Sequence, residues 1–171
     1  MGAKGFRGKR AVVPVLLATA ALAAGCAAVQ SASRTDTARA QVGDCIHVIE
    51  GSTTDSRTEP VDCASERAVY TVMSTSPTRA DCGREYSSYE ETFHGGTTAF
   101  LCLAPNLKPG SCYHQDRDTG FAYADCASAA ATVRVVARID GRHDSSLCDP
   151  SATYLLLSEP KTTFCMVNPK A

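Results

Sequence analysis

The sequence contains no tryptophan, and only 6% of its residues are aromatic. Hydrophobic residues nevertheless make up 44% of the 171-residue chain, so alanine supplies much of the apolar content. Alanine buries little surface per residue, which limits the stability that a hydrophobic core can provide. The composition is that of a globular protein, and we expect its fold to need stabilisation beyond the core.

Motifs that mark common catalytic and redox sites are also missing. The sequence has no G-x-S-x-G nucleophile elbow and no phosphate-binding G-x-x-x-x-G-K loop. No two cysteines are closer than ten residues. Redox-active cysteine pairs and zinc sites need ligands only about two to four residues apart. We therefore expect no enzyme activity and no cofactor.

Basic residues are scarce outside the first ten positions. The formal net charge is −1, but four lysines and arginines lie before residue 11, where no acidic residue accompanies them. The rest of the chain has 13 basic against 18 acidic residues, a net charge near −5. Nucleic-acid binding requires clustered lysine and arginine, so we expect no nucleic-acid partner.

Residues 1–25 have the pattern of an export signal. A basic segment precedes fourteen apolar residues at 11–24, which are too few for a transmembrane helix. Small residues at 23–25 then precede Cys26, a pattern that resembles the bacterial lipoprotein cleavage site. We predict a lipoprotein signal peptide over residues 1–25, with Cys26 acylated and inserted into membrane lipid. Ordinary secretion after an Ala-x-Ala site is the alternative.

The cysteine count supports a lipidated Cys26. Nine cysteines are an odd number, which would leave one thiol unpaired in an oxidising compartment. If Cys26 holds the lipid, eight remain for four disulfides. These eight are Cys45, Cys63, Cys82, Cys102, Cys112, Cys126, Cys148 and Cys165.

Residues 26–40 predict a flexible tether behind the lipid. The segment after Cys26 is rich in alanine, serine and threonine and shows no hydrophobic periodicity. A coil of this length would span roughly 20 Å. A polar surface helix is the alternative.

The mature chain repeats itself with a period of roughly 65 residues, which predicts one unit at residues 41–106 and another at residues 107–171. The tetrapeptide Asp-Cys-Ala-Ser at 62–65 recurs unchanged at 125–128, and an alternating β-type run follows each copy. Each half also holds four cysteines in the same order. We predict two tandem units of the same fold.

Each unit is predicted to fold as β-β-β-α-β, which makes the chain an α+β protein. Strands of the first unit are expected at residues 42–49, 60–63, 68–74 and 97–103. Those of the second unit are expected at residues 110–115, 121–126, 132–139 and 162–167.

A helix is predicted between the third and fourth strand of each unit. In the first unit, Tyr86, Tyr89 and Phe93 follow Cys82 at helical spacing. In the second unit, Asp149 suits a helix cap and Pro150 suits the first helical position. The second helix is expected to be shorter.

This strand order also predicts the disulfide pairing. The first two strands of each unit form a hairpin, which places Cys45 opposite Cys63 and Cys112 opposite Cys126. The remaining bridges would join the start of each helix to the last strand, Cys82 to Cys102 and Cys148 to Cys165. Each bridge of this loop length is worth about 3 kcal/mol.

Short motifs of the first unit resemble a known family. They are VGDC at 42–45, V-x-C at 61–63, A-x-Y-x-V at 68–72 and L-C-L-x-P at 101–105. The chain is similar here to the LppU-like lipoproteins of high-GC Gram-positive bacteria, and more loosely to septum-formation-type domains. The second half departs from the motif, with Ser111 where the first has Asp44. The resemblance implies an exported, lipid-anchored, cysteine-paired module without an assigned activity.

The four histidines offer one candidate metal site. His47 and His114 each lie two residues after the first cysteine of a unit, and a metal site shared by the units is one interpretation. Partly buried, hydrogen-bonded histidines are the preferred interpretation, because no carboxylate recurs with them, so we predict no metal site. His94 and His143 lie beside glycine or turn residues and are expected in surface loops.

Two other stretches have both a functional and a structural interpretation. Asp116-x-Asp118-x-Gly120 is similar to the start of a calcium loop, but the glutamate that closes such a loop is missing, so we expect a hairpin turn. The stripe of Tyr86, Tyr89 and Phe93 offers a partner-binding face, although its expected role is to cover the sheet.

The sequence therefore predicts a non-enzymatic lipoprotein on the outer face of the cell membrane that binds an envelope protein or a wall component. One alternative is an envelope enzyme or metal binder whose site is assembled by the fold. Another is a protein inhibitor that acts through the loop at residues 51–58.

Overall fold

A computed structural model describes residues 34–170 of the chain. The predicted signal peptide, the predicted lipidation site Cys26 and the tether up to residue 33 lie outside the described residues. Between residues 34 and 170, no helix has the length and hydropathy needed to cross a bilayer.

The first half forms a five-stranded antiparallel sheet, called the first sheet. Its order across the sheet is β2-β1-β3-β5-β4, so β2 and β4 are the edge strands. The strands are β1 (Cys45–Glu50), β2 (Arg57–Val61), β3 (Tyr70–Ser76), β4 (Ser87–Phe93) and β5 (Gly96–Pro105).

The second half forms another antiparallel sheet, called the second sheet, with the equivalent order β7-β6-β8-β10-β9. Single 3-10 turns precede β1 at Thr37–Arg39 and β9 at Ser145–Leu147. The strands are β6 (Cys112–Asp116), β7 (Gly120–Ala124), β8 (Val133–Asp140), β9 (Thr153–Ser158) and β10 (Lys161–Val167).

The α+β prediction is wrong, because the fourth element of each half is a strand. In the first half, β4 pairs with β5 and places Tyr89 opposite Leu101. The disulfide from Cys82 to Cys102 holds the start of this segment beside β5. Serine, threonine and tyrosine have weak helix propensity, so pairing with β5 decides the conformation.

The predicted helix of the second half is a turn followed by β9. The Asp149 carboxylate accepts hydrogen bonds from the backbone N–H of Ser151 at 2.8 Å and from its hydroxyl at 2.6 Å. Asp149 therefore closes a turn, and β9 begins at Thr153. The helix-capping role belongs to Asp144, which accepts from the Ser146 N–H at the start of a 3-10 turn.

The eight strands predicted from the sequence are all present, with ends shifted by a few residues. Four disulfides tie β1, β5, β6 and β10 to neighbouring segments, and they are the pairs predicted from the sequence. The bridges are Cys45–Cys63, Cys82–Cys102, Cys112–Cys126 and Cys148–Cys165.

Both sheets contribute side chains to one buried cluster, which includes Ile46 and Leu101 of the first sheet and Phe164 of the second. A tyrosine links the two halves within this core. The Tyr70 hydroxyl accepts hydrogen bonds from the Phe121 backbone N–H at 2.6 Å and from the Ser87 hydroxyl at 3.1 Å. Residues 34–170 therefore share one core.

The connection between the halves begins with two buried residues. Asn106 donates from its backbone N–H to the Val69 carbonyl at 2.7 Å and from its side chain to the Ala68 carbonyl at 3.1 Å. Its side-chain oxygen accepts a hydrogen bond from Arg138 of the second sheet at 2.8 Å. The next residue, Leu107, is fully buried. The start of the connection is thus part of the core, while Pro109 and Gly110 are exposed.

The described end of the predicted tether is packed on the first sheet. Thr37 and Ala38 are buried, and Thr37 accepts a hydrogen bond from the Thr58 hydroxyl of β2 at 2.9 Å. The Thr35 backbone N–H donates to the Glu91 carboxylate at 2.9 Å. The prediction of a flexible tether is therefore wrong for residues 34–40.

Candidate functional site: a polar cleft between the two halves

A cleft of about 890 Å³ is lined by both halves of the domain, and we call it the junction cleft. The first half supplies residues 84–92, a continuous run that includes most of β4, and the loop at residues 52–56. The second half supplies residues 115–121 and Leu155 of β9.

The turn between β6 and β7 is held in place by one carboxylate. An oxygen of Asp116 accepts hydrogen bonds from the backbone N–H groups of Asp118 and Thr119, both at 2.9 Å, and from the Thr119 hydroxyl at 3.1 Å. These donors lower the pKa of Asp116, because they stabilise its charged form. The prediction of a hairpin turn here is confirmed.

The loop at residues 52–56 is ordered by its own serines. The Ser52 hydroxyl accepts hydrogen bonds from the backbone N–H groups of Thr54 at 3.2 Å and Asp55 at 3.1 Å. The Ser52 backbone N–H in turn donates to the Ser56 hydroxyl at 3.1 Å. This wall of the cleft therefore has a defined shape.

One end of the cleft is closed by contacts between the halves. The Tyr86 hydroxyl accepts from the Glu159 N–H at 2.9 Å and donates to the Glu159 carbonyl at 2.7 Å. The Glu85 carboxylate accepts from the Ser158 N–H at 2.6 Å and from its hydroxyl at 2.8 Å. The two Ser158 hydrogen bonds lower the pKa of Glu85.

The lining of the junction cleft is acidic. Six carboxylates line it against two guanidinium groups, Arg84 and Arg117, which gives the lining a net negative charge. Hydrogen bonding lowers the pKa of three of the acids, so these are ionised at neutral pH. The acids are Asp55, Glu85, Glu90, Glu91, Asp116 and Asp118. The cleft is therefore suited to a positively charged ligand.

The histidines singled out by the sequence do not meet. His47 is buried in the first sheet and lies 2.9 Å from the Glu59 carboxylate on β2. His114, in the second sheet, is exposed and lies 3.1 Å from the Ala130 carbonyl. His94 and His143 lie in exposed turns, as predicted. Among residues 34–170, no group of three or more potential ligands is placed to hold a metal ion.

The predicted aromatic stripe is divided by the strand. Tyr86 precedes β4, Tyr89 faces the cleft with its hydroxyl 3.0 Å from the Thr35 hydroxyl, and Phe93 is 57% exposed at the end of β4. The junction cleft was not predicted from the sequence, because its main wall is the segment predicted to be helical. The signal that favoured a strand is the concentration of serine, threonine and aromatic residues at 87–93.

No family model, no curated protein and no solved structure matches this chain.

Proposed function

We propose that the chain is an exported lipoprotein, anchored by an acylated Cys26 to the outer face of the cell membrane, and that its disulfide-bonded domain is a non-enzymatic binding module of the envelope. The observation behind export is that all eight cysteines between residues 45 and 165 are paired. Disulfides persist in oxidising compartments and are rare in the cytosol. Four of them in one small domain therefore support a location outside the cytoplasm.

The proposed anchor rests on the sequence. Cys26 is the one cysteine that the four bridges do not use, and it follows a basic segment, an apolar stretch and small residues. A processed lipoprotein cysteine has two or three acyl chains, which anchor stably where a single chain does not. The resemblance of residues 41–106 to the LppU-like lipoproteins supports the same location.

The packing of residues 34–40 limits how far the domain extends from the proposed anchor. Only residues 27–33 separate Cys26 from the packed segment. Seven residues reach at most about 25 Å when fully extended. We propose that the domain works close to the bilayer.

The junction cleft is the proposed binding site. It combines a defined shape, a negative lining and the tyrosines Tyr86 and Tyr89. The equal strand order and equal disulfide positions of the two sheets support an internal duplication, in which the ligand site formed between the two copies.

The anchor is tested by Cys26→Ser, with Ser33→Ala as a control in the same segment. Cys26→Ser is expected to move the protein from the membrane fraction to the soluble extracytoplasmic fraction, while Ser33→Ala leaves it in the membrane. Mass spectrometry of the N-terminal peptide should show a diacylglyceryl cysteine at residue 26. Membrane retention of Cys26→Ser contradicts the proposed anchor, and free thiols in a cytosolic protein contradict export.

A further inference from the structure

We propose that the junction cleft binds an extended basic polypeptide, which adds as a sixth strand to the open edge of β4. This inference rests on the proposed function, because it takes the cleft as the binding site of the module. It names the class of ligand: a protein segment with lysine or arginine at alternate positions.

The edge of β4 faces the junction cleft. Within residues 34–170, β4 is the last strand of the first sheet and pairs only with β5. Successive side chains of a strand point to opposite faces, so a wall made of side chains from one face would contain every second residue. All six residues from Ser87 to Thr92 line the cleft. A continuous run of this kind means that the edge, with its backbone N–H and C=O groups, is turned towards the cleft.

The other three edge strands, β2, β7 and β9, are less suited to strand addition. At β7, the Phe121 N–H is already bound by the Tyr70 hydroxyl. β2 contains Pro60, which has no backbone N–H to donate. At β9, the Ser158 N–H is already bound by Glu85, and the following turn is bound by Tyr86. β4 combines an open edge with a cleft beside it. Main-chain pairing along such an edge is an established mode of peptide recognition.

The length of the edge sets the length of the ligand. β4 has seven residues, which corresponds to about 24 Å of extended chain. A segment of about seven or eight residues would pair along the whole strand. Its ends would lie outside the cleft, so an internal segment of a longer protein fits as well as a free peptide.

The charge of the cleft selects a basic segment. The two other walls contribute Asp55 from the loop at residues 52–56 and Asp118 from the turn between β6 and β7, while β4 contributes Glu91. Side chains of an added strand would alternate between two directions, so lysines or arginines at alternate positions point to one side of it. Complementary charge of this kind favours the correct partner and speeds its association.

Backbone pairing is tested with capped, fluorescently labelled peptides of about eight residues that alternate lysine and threonine. Two N-methylated derivatives are made, one methylated at every lysine and the other at every threonine. Each derivative lacks the backbone N–H donors along one edge of the extended peptide and keeps those along the other edge. In strand addition, one edge faces β4 and the other faces solvent. We therefore expect one derivative to bind at least about tenfold more weakly than the parent in fluorescence anisotropy, and the other to bind like the parent. Equal affinities of the two derivatives would overturn the proposal.

Charge selection is tested with a peptide in which glutamate replaces lysine, and with protein variants. The glutamate peptide and the double variant Asp55→Asn/Asp118→Asn should each reduce affinity by about tenfold or more. The control Glu50→Gln/Glu66→Gln removes the same charge outside the cleft and should leave affinity unchanged. An equal loss in both double variants would show general charge attraction and would overturn the site. Thermal unfolding of each variant shows that it is folded.

The binding experiments use the protein expressed from the full-length gene. It is purified from the cell fraction in which it is found, and detergent is added if that fraction is the membrane. Binding of the peptides and fractionation of Cys26→Ser are then independent results. Loss of peptide discrimination rejects the strand-addition proposal and leaves the anchor in place. Membrane retention of Cys26→Ser rejects the anchor and leaves peptide binding in place.

Discussion

The two halves of the domain have the same strand order and the same disulfide positions, but their fourth strands differ in chemistry. β4 has the polar sequence Ser-Ser-Tyr-Glu-Glu-Thr-Phe and lines the junction cleft. β9 has the apolar sequence Thr-Tyr-Leu-Leu-Leu-Ser and buries Leu157 in the shared core. Equivalent edge strands can therefore line a cleft in one half and contribute to the core in the other, while the strand order stays the same.

A second difference lies at the start of the third strand. β3 begins with Tyr70, whose hydroxyl binds the Phe121 backbone in the other half, whereas its counterpart β8 begins with Val133, which has no polar atom in its side chain. The contact between the halves is therefore not symmetrical. Tyr70 of the first half makes a hydrogen bond to the backbone of the second half that Val133 cannot make in return.

The largest expected effect comes from removing equivalent disulfides. Cys45→Ala/Cys63→Ala in the first half and Cys112→Ala/Cys126→Ala in the second should each lower the free energy of unfolding by about 3 kcal/mol, since the closed loops are similar in length. Because the halves share one core, each variant should unfold in a single transition. Urea denaturation followed by circular dichroism and tyrosine fluorescence measures both. Separate transitions for the two halves would contradict the shared core.

A smaller effect is expected from Gly120→Ala. Gly120 has φ of 77°, and a Cβ there would overlap the Tyr70 hydroxyl. The backbone strain and the displaced tyrosine should together cost about 2 kcal/mol. Gly141→Ala is the matched control, because Gly141 has φ of 78° with no atom near the added Cβ. Gly141→Ala should show only the backbone strain of about 1 kcal/mol.

The difference between these two glycine variants isolates the asymmetric contact. In a Tyr70→Phe background, which removes the overlapping hydroxyl, the difference in unfolding free energy should shrink. The comparison needs chemical denaturation of Gly120→Ala and Gly141→Ala, each with Tyr70 and with Tyr70→Phe. Equal costs of Gly120→Ala and Gly141→Ala with Tyr70 present would mean that the hydroxyl does not constrain Gly120.

The smallest expected effect is the pH dependence of the contact between Glu85 and Ser158. The folded state lowers the pKa of Glu85 below its usual value of 4.5. Its contribution to stability is therefore present above the unfolded-state pKa and is lost as the pH falls through the folded-state pKa. Glu85→Gln should destabilise the protein slightly at about pH 7, and its difference from the parent should shrink as the pH falls through the folded-state pKa of Glu85. A difference that does not change with pH would contradict this role of the carboxylate.

The strands and disulfides were predictable because they depend on local patterns. Alternating residues after each Asp-Cys-Ala-Ser repeat mark β3 and β8, and a hairpin places Cys45 opposite Cys63. Once the repeat is recognised, each feature in one half supports its counterpart in the other.

The fourth strands and the cleft were not predictable in the same way. Tyr86, Tyr89 and Phe93 fit a helical spacing, which competes with the strand-favouring composition of residues 87–93. Pairing with β5 decides that Tyr89 and Phe93 belong to a strand. The cleft brings together segments near residues 55, 88 and 118. Contacts between segments so distant in sequence depend on how the two sheets pack, which a local pattern does not encode.

The buried connection at Asn106 and Leu107 determines how the molecule can be cut or extended. The peptide bond between these two buried residues is not accessible to a protease, whereas Pro109 and Gly110, farther along the connection, are exposed. A reporter or an affinity tag inserted at this junction would displace Leu107 from the core. The exposed turns at Gly95 and Gly141 are better insertion points, because a Cβ added at either glycine would meet no atom within 4 Å.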